Sequence, residues 1–192
     1  MKTLLITGFD PFGGQTVNPA WQAVQRLPNQ IGKYVLCKLE IPTVFGSAAE
    51  TVLQAADQCQ PDVILCIGQA ATRSSVTPER LAVNIRDARI PDNAGYQPQG
   101  EFAVPDGPAA YFTTVPVSAM AQAICDAGIE GVVSNSAGTF VCNDTLYTLL
   151  HHYAGTATRV GFIHVPSLPE QGAPSLPLKD MVTALAAAIT VL

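Results

Sequence analysis

The sequence predicts an α/β fold with a mostly parallel central sheet. Short, almost wholly apolar runs at 2–7, 62–67 and 159–165 read as strands buried on both faces, and amphipathic helical stretches separate them. Each run stops at a glycine or a proline, namely Gly8, Gly68 and Pro166. Alternation of this kind implies right-handed crossovers between parallel strands, with ligands bound beyond the carboxyl ends of the strands.

Taken in order, the first strand, Lys2 to Thr7, runs into the loop Gly8-Phe9-Asp10-Pro11-Phe12-Gly13-Gly14. A helix is expected to follow Asn18-Pro19, with Asn18 as its cap and Pro19 at the first helical position. The glycines invite a phosphate-binding reading, but Gln15-Thr16 stands where a P-loop needs Lys and Ser or Thr, so the signal is weak. Tyr34 to Ile41 is the second strand, with Val35, Cys37 and Leu39 on one side, and Pro42-Thr43 closes it. Gly46 to Gln58 is a helix, and Asp62 to Ile67 the third strand.

The segment 69–107 breaks the alternation. It concentrates charge in Glu79-Arg80, Arg86-Asp87, Arg89 and Asp92, and it carries the turn signals Pro91-Asp92-Asn93 and Pro105-Asp106-Gly107. It reads as a long excursion with short strands near 81–86 and 111–115, serving either function or a subunit contact, or else forming a solvated, salt-bridged flap. Helix returns from Val117 to Ala127 and stops at Gly128. The final strand, Arg159 to Val165, leaves His164 at its carboxyl end, and Leu178 to Leu192 is an alanine-rich amphipathic helix. His151 and His152 fall in the last turn of the preceding helix, where they suit the macrodipole as structural residues.

Composition narrows the function. With 192 residues and 48% hydrophobic content, the chain can bury one substantial core, so residues 1–192 are expected to form a single domain. Charged residues make up only 13% and the formal net charge is −5, which leaves no basic stripe for nucleic acid. No stretch approaches the ~18 apolar residues of a membrane span. The apolar run behind Lys2 is too short for a secretory leader, so a cytoplasmic protein is expected. Five cysteines, without a C-x-x-C pair, argue against a disulfide framework or a zinc ribbon; most should be reduced and buried.

The stretch 134–144, Ser-Asn-Ser-Ala-Gly-Thr-Phe-Val-Cys-Asn-Asp, organises the rest. Gly131-Val132-Val133 reads as the end of a buried strand before it. After a small-residue turn, a helix carries Leu146, Leu149, Leu150 and Tyr153 on its apolar side. With Thr139 as N-cap, Cys142 falls near the third helical position, where free N–H groups and the macrodipole favour an anion. A thiol there is expected to be acidic and nucleophilic, unlike Cys37, Cys59, Cys66 and Cys125 in their apolar segments. Cys142 also continues the apolar stripe, so a purely structural cysteine fits the local pattern equally well.

Three long motifs resemble the pyroglutamyl peptidase I family, also called pyrrolidone-carboxylate peptidases, in order and spacing over nearly the whole chain. They are the loop from Gly8 to Gly14 with Asn18-Pro19, the run from Pro78-Glu79-Arg80 through Asp87-Ala88-Arg89-Ile90-Pro91-Asp92-Asn93, and the 134–143 stretch with Ala137-Gly138-Thr139 and Cys142-Asn143. The resemblance implies a three-layer α/β/α sandwich and a cytoplasmic cysteine peptidase without cofactor or metal. Its substrates would be peptides with an N-terminal pyroglutamyl residue, and it would assemble as a homo-oligomer, a dimer or tetramer. By matching position, Glu79, Cys142 and His164 look like a catalytic triad, and Arg89 aligns with an arginine near the reacting carbonyl. Phe9, Phe12, Ile90, Phe140 and Val141 match pocket positions, as do Thr43 and Gln69. The chain departs from the family pattern at Ala71-Thr72, where small glycine-type residues are common, and at Phe140, often tyrosine.

The residue chemistry is compatible: thiolate attack by Cys142, proton transfer by His164, and Glu79 holding the imidazole. Two other readings stay open at this level. One is a nucleoside phosphorylase or hydrolase using the glycine loop for an anion, against which stands the lack of basic residues near Gly13; the other is a binding protein that keeps the pocket without turnover.

Overall fold

A computed structural model describes residues 1–192. In chain order the elements are β1 (Lys2–Phe9), α1 (Pro19–Arg26), β2 (Gln30–Ile31), β3 (Tyr34–Ile41), α2 (Ser47–Cys59), β4 (Val63–Gln69), β5 (Thr77–Pro78), β6 (Leu81–Val83), β7 (Ala110–Phe112), α3 (Val117–Asp126), α4 (Val141–His152), β8 (Arg159–Val165) and α5 (Leu178–Thr190), with a single 3-10 turn at Pro169–Gln171.

Six strands form one sheet in the order β2-β3-β1-β4-β8-β5. The inner pairs β3/β1, β1/β4 and β4/β8 are parallel, and only the two-residue edge strands β2 and β5 run antiparallel. Within β1 the alternation is visible through the continuous apolar run. Leu4 and Ile6 face a core shared with α1, α3 and α5, whereas Leu5 and Phe9 face a second core shared with α2 and α4. The sheet thus lies between two helical layers, the α/β/α arrangement, because each face of every central strand has apolar side chains to cover.

Asn18 caps α1 as expected: its Oδ1 accepts the Ala20 N–H at 3.0 Å, and Pro19 opens the helix. Close packing of α1 explains Gly8. A Cβ at that position would come 2.5 Å from the Trp21 Cα, so only glycine lets the helix start cross the end of β1.

Two expectations are corrected. Residues 131–133 do not form a buried strand: the segment runs along β5 through isolated bridges at Gly131 and Ser134, and Val132 is exposed at this sheet margin. The excursion contains β5, which the sequence pattern missed, while β6 and β7 pair with each other in a separate two-stranded sheet.

Candidate active site

Loops after β1, β3, β4 and β8 converge at the carboxyl edge of the sheet, near the point where the strand order turns from β3 to β4 around β1. Between these loops, the 86–90 segment and the start of α4 lies a cavity of about 530 Å³. Phe9, Phe12, Thr43, Gln69, Arg89, Ile90, Phe140, Cys142 and His164 line it, together with Asn18, Arg73 and Asp87. Two sequence candidates stand outside the lining. Glu79 lies behind His164, and Val141, expected in the pocket, is fully buried in the α2/α4 core because the first position of α4 points inward.

Cys142 is the second residue of α4, not the third. The N-cap position belongs to Phe140, which offers no side-chain acceptor, because the Thr139 hydroxyl instead donates to the Asp87 carbonyl at 2.7 Å. The first bond into the helix is Asp144 N–H to the Phe140 carbonyl, at 3.1 Å. The N–H groups of Val141, Cys142 and Asn143 therefore have no partner within the protein.

The residues after Cys142 secure the helix start. Asn143 accepts the Val83 N–H at 2.9 Å and donates to the carbonyls of Val83 and Ile85 at 2.9 and 3.1 Å. The buried Asp144 carboxylate accepts Arg86 Nε at 2.7 Å and the Gly46 N–H at 2.8 Å. Sequence reasoning assigned neither residue a role; two polar residues in a helix turn that faces the core were the available signal. Asp92 works similarly on the opposite wall, accepting the N–H groups of Phe45, Ala94 and Tyr96. Phe45, also missed, packs edge-on against Phe140 with centroids 5.4 Å apart, and Phe140 meets Phe12 at 6.1 Å.

His164 sits one residue before the end of β8, opposite Gly68 of β4 on one side and Thr77 of β5 on the other. Because β5 runs antiparallel along β8, the next residue, Glu79, is carried to the imidazole. Its Oε1 lies 2.7 Å from His164 Nδ1, and its side chain is fully buried. Glu79 is therefore no surface partner of Arg80. Its cation is Arg73, whose Nη1 donates to the same Oε1 at 2.6 Å and whose Nη2 donates to the Ser136 carbonyl at 2.8 Å. Burial alone would raise the Glu79 pKa, but the His164 contact, the nearby Ser134 hydroxyl and Arg73 outweigh it and hold the carboxyl below its ordinary value. The Ser134 hydroxyl itself donates to the Ser136 carbonyl, at 3.1 Å, and leaves Glu79 Oε2 without a hydrogen bond.

The expectation of an acidic Cys142 does not hold in this geometry. Burial of the sulfur pushes the thiol up to about 12, and the Glu79 charge and Cys66 add to the shift against Arg73. The residue is half-buried: it lines the cavity, and its sulfur packs close to Gly68 and Phe162. No hydrogen bond joins Sγ to the imidazole, whose Nδ1 is held by Glu79. The other free cysteines also differ from expectation: only Cys66 is buried, Cys37 and Cys59 are half-buried, and Cys125 is exposed. No group of three or more His, Cys, Asp or Glu side chains is placed to hold a metal ion.

Chemically, a fully buried carboxylate holds an imidazole by Nδ1, leaving Nε2 toward a cavity that also contains a thiol at an uncapped helix start. Such an arrangement can perform acyl transfer. Known proteins resemble this chain over nearly its whole length. The sequence model of the family described as pyroglutamyl peptidase matches residues 1–192. A pyrrolidone-carboxylate peptidase of Levilactobacillus brevis is 55% identical, over 97% of this chain and 95% of its own length. One from Bacillus subtilis is 49% identical, over 96% and 89%. The crystal structure of Bacillus amyloliquefaciens pyroglutamyl peptidase I superposes with a TM-score of 0.96 at 45% identity, covering all of this chain and 96% of its own. The pyrrolidone carboxyl peptidase of Thermococcus litoralis does so with 0.94 at 38%, covering 100% and 93%.

Proposed function

The chain belongs to the pyroglutamyl peptidase family, a family of hydrolases, and from that premise we propose that it removes N-terminal pyroglutamyl residues from peptides through a Cys142 thioester. The observation that carries this reading is the Glu79 Oε1 to His164 Nδ1 contact of 2.7 Å, with Nε2 left to the cavity that Cys142 lines. With a carboxylate as the acceptor, Nδ1 bears the proton and Nε2 is the base.

His164 takes the Cys142 proton as the sulfur attacks the carbonyl that links pyroglutamate to the next residue. Charge then develops on that carbonyl oxygen. The free N–H groups at the start of α4, Cys142 first among them, and the Arg89 guanidinium are its donors. His164 next protonates the leaving amine, and the same imidazole activates the water that hydrolyses the thioester. A protonated resting thiol suits this sequence, because proton transfer and attack proceed together and no thiolate has to be stored beside Glu79.

Phe9, Phe12, Ile90 and Phe140 supply apolar walls for the lactam ring. Gln69 donates through Nε2 to Ser167 Oγ at 3.0 Å and to Gln171 Oε1 at 3.3 Å, which leaves its own Oε1 free as an acceptor for a lactam N–H. We read residues 1–192 as one catalytic domain of a cytoplasmic homo-oligomer, dimer or tetramer, with no nucleic-acid partner. The net charge of −5 and the exposed Phe102 and Phe112 support the last two points, and no helix is long and apolar enough to cross a membrane. Turnover of a pyroglutamyl-aminocoumarin reporter by the purified protein tests the proposal. Release of coumarin, lost in Cys142→Ala, is expected; no turnover at any pH between 6 and 10 overturns it.

A further inference from the structure

Arg73 lies in the turn after β4, and its side chain is three-quarters buried. One nitrogen, Nη1, meets both Glu79 Oε1 and the Thr77 hydroxyl; the other, Nη2, donates to the Ser136 carbonyl at 2.8 Å. The oxygen it shares with His164 is the only Glu79 carboxylate oxygen with a hydrogen bond, since Oε2 is buried without a partner. A buried carboxylate half-bare in this way would tend to take up a proton and lose its value as an acceptor. A guanidinium on the same oxygen opposes that. It also reaches the loop that leads from Ser134 to Cys142, so one planar group spans both halves of the site.

We infer that Arg73 is a positioning residue of the reaction: it keeps Glu79 ionised against His164, ties the 134–138 loop to that pair, and by its charge lowers the pH window in which the His164–Cys142 pair is active. The inference rests on the cysteine peptidase reading above. The charges facing the imidazole are few. Glu79 and Arg73 stand on its Nδ1 side as a neutral pair, with Arg73 also reaching the cavity wall, Cys142 and beyond it Cys66 lie on the α4 side, and Asp87 and Arg89 occupy the rest of the wall. The β4 and β5 residues beside it, Gly68, Gln69, Thr77 and Pro78, carry no charge. Removing Arg73 therefore removes the one fixed positive charge on the inner side, which makes every proton of the pair harder to lose.

The test is the pH dependence of kcat/KM for the pyroglutamyl reporter in the wild type, Arg73→Met and Arg73→Lys. In Arg73→Met both limbs of the profile should move to higher pH by about one unit, from a charge lost across a single shared carboxylate oxygen from the imidazole, at a partly screened site. Its kcat should fall about 10²-fold with KM little changed, because the triad is displaced while the apolar walls that would hold the ring are not. Arg73→Lys should keep the limbs within about 0.3 unit of wild type yet lose kcat, since an ammonium supplies the charge without spanning Glu79 and Ser136. A merely structural arginine would lower the amplitude and leave the limbs in place; that result for Arg73→Met overturns the inference. If Arg73→Met does not fold, Arg73→Gln carries the same limb test, retaining a donor without the charge. The pH dependence of Cys142 alkylation by iodoacetamide reads the same shift without turnover, so failure of the reporter would refute the substrate reading and leave this inference separately testable.

Discussion

His164 Nδ1 and Glu79 Oε1 lie 2.7 Å apart across the antiparallel edge of an otherwise parallel sheet. The pairing of β5 with β8 fixes this distance, since Glu79 follows Pro78 and its N–H donates to the Phe162 carbonyl at 2.9 Å. Glu79→Gln keeps the shape of the side chain and removes the charge that, in the proposed mechanism, stabilises an imidazolium in the transition state. kcat should fall by about 10² to 10⁴ while KM changes only a few-fold, the pattern of an interaction made mainly at the barrier. A raised KM with kcat preserved would place Glu79 in substrate recognition instead.

Cysteine labelling separates reactivity from function. Cys125 is exposed, whereas Cys142 is half-buried and its thiol pushed up to about 12, chiefly by burial. Brief iodoacetamide treatment of the free enzyme should therefore mark Cys125 before Cys142, as read by peptide mass mapping. Cys125→Ser should retain full activity and Cys142→Ala none. Faster labelling at Cys142 would mean that the resting pair is a thiolate and an imidazolium after all.

The central strands could be read in the sequence because they are continuous apolar runs; Tyr34–Ile41 and Arg159–Val165 match expectation to the residue. Asn18 and Pro19 likewise announced α1 by local chemistry alone. What escaped depends on contacts distant in sequence. β5 has only two residues, too few for periodicity, and exists because β8 pairs with it. Arg73 looked unremarkable while Arg80 stood next to Glu79, yet the turn after β4 brings Arg73 to the carboxylate and leaves Arg80 outside. The N-cap was misplaced because the Thr139 hydroxyl finds a carbonyl 52 residues away. The raised pKa of Cys142 is not legible in the sequence, because a helix start is visible there and the packing of the sulfur beside Phe162 and Gly68 is not.

Gly68 makes that packing possible. A Cβ there would approach Phe162 Cζ at 2.8 Å and Cys142 Sγ at 2.9 Å, so Gly68→Ala must displace the ring or the Cys142 sulfur. The variant should fold but lose kcat by about 10² or more, since small displacements of a reacting atom are costly. Gly161→Ala is the contrasting case. Its Cβ would press on Val115 at 2.4 Å, away from the cavity, and should lower stability by about 1–3 kcal/mol without a matching loss of kcat. Equal kcat losses in the two variants would deny Gly68 a specific part in the site.

Buried thiols make stability fall at alkaline pH. Burial pushes Cys66 up to about 12, above the roughly 8.5 of an unfolded cysteine. The folded state holds the proton more tightly, so the favourable contribution is complete below about pH 8.5 and is lost as pH rises toward 12. The slope is about 1.4 kcal/mol per pH unit for each such thiol. Denaturant midpoints at pH 7.5, 9 and 10 should decline, and Cys66→Ala should decline less steeply even if it starts lower for the volume removed. Parallel slopes would show that Cys66 does not couple to unfolding.

Selectivity follows from which charges the cavity lacks. Its inner walls are Phe9, Phe12, Ile90 and Phe140, with Thr43 and Gln69 as neutral polar groups, and the one lining carboxylate, Asp87, is exposed at the rim. Thr43 is itself occupied, donating its N–H to Asp10 Oδ1 at 2.7 Å and its hydroxyl to the Asp10 carbonyl at 3.1 Å. A neutral five-membered lactam can place its ring against the aromatic faces and its N–H on the free Oε1 of Gln69. An N-terminal proline has the same ring size but brings a charged nitrogen and no lactam oxygen; an N-terminal glutamine brings an ammonium. Neither charge finds a partner on the inner wall, and an unpaired charge in such a site is expensive. A site built to hydrogen-bond a buried polar group can reject an analogue without it by about 10⁴-fold, so prolyl and glutaminyl aminocoumarins should show kcat/KM at least ~10³ below the pyroglutamyl reporter. Gln69→Leu should narrow that gap by weakening pyroglutamyl turnover alone. Comparable values for the prolyl and pyroglutamyl reporters in the wild type would mean that the cavity does not read the lactam, whatever Cys142 proves to do.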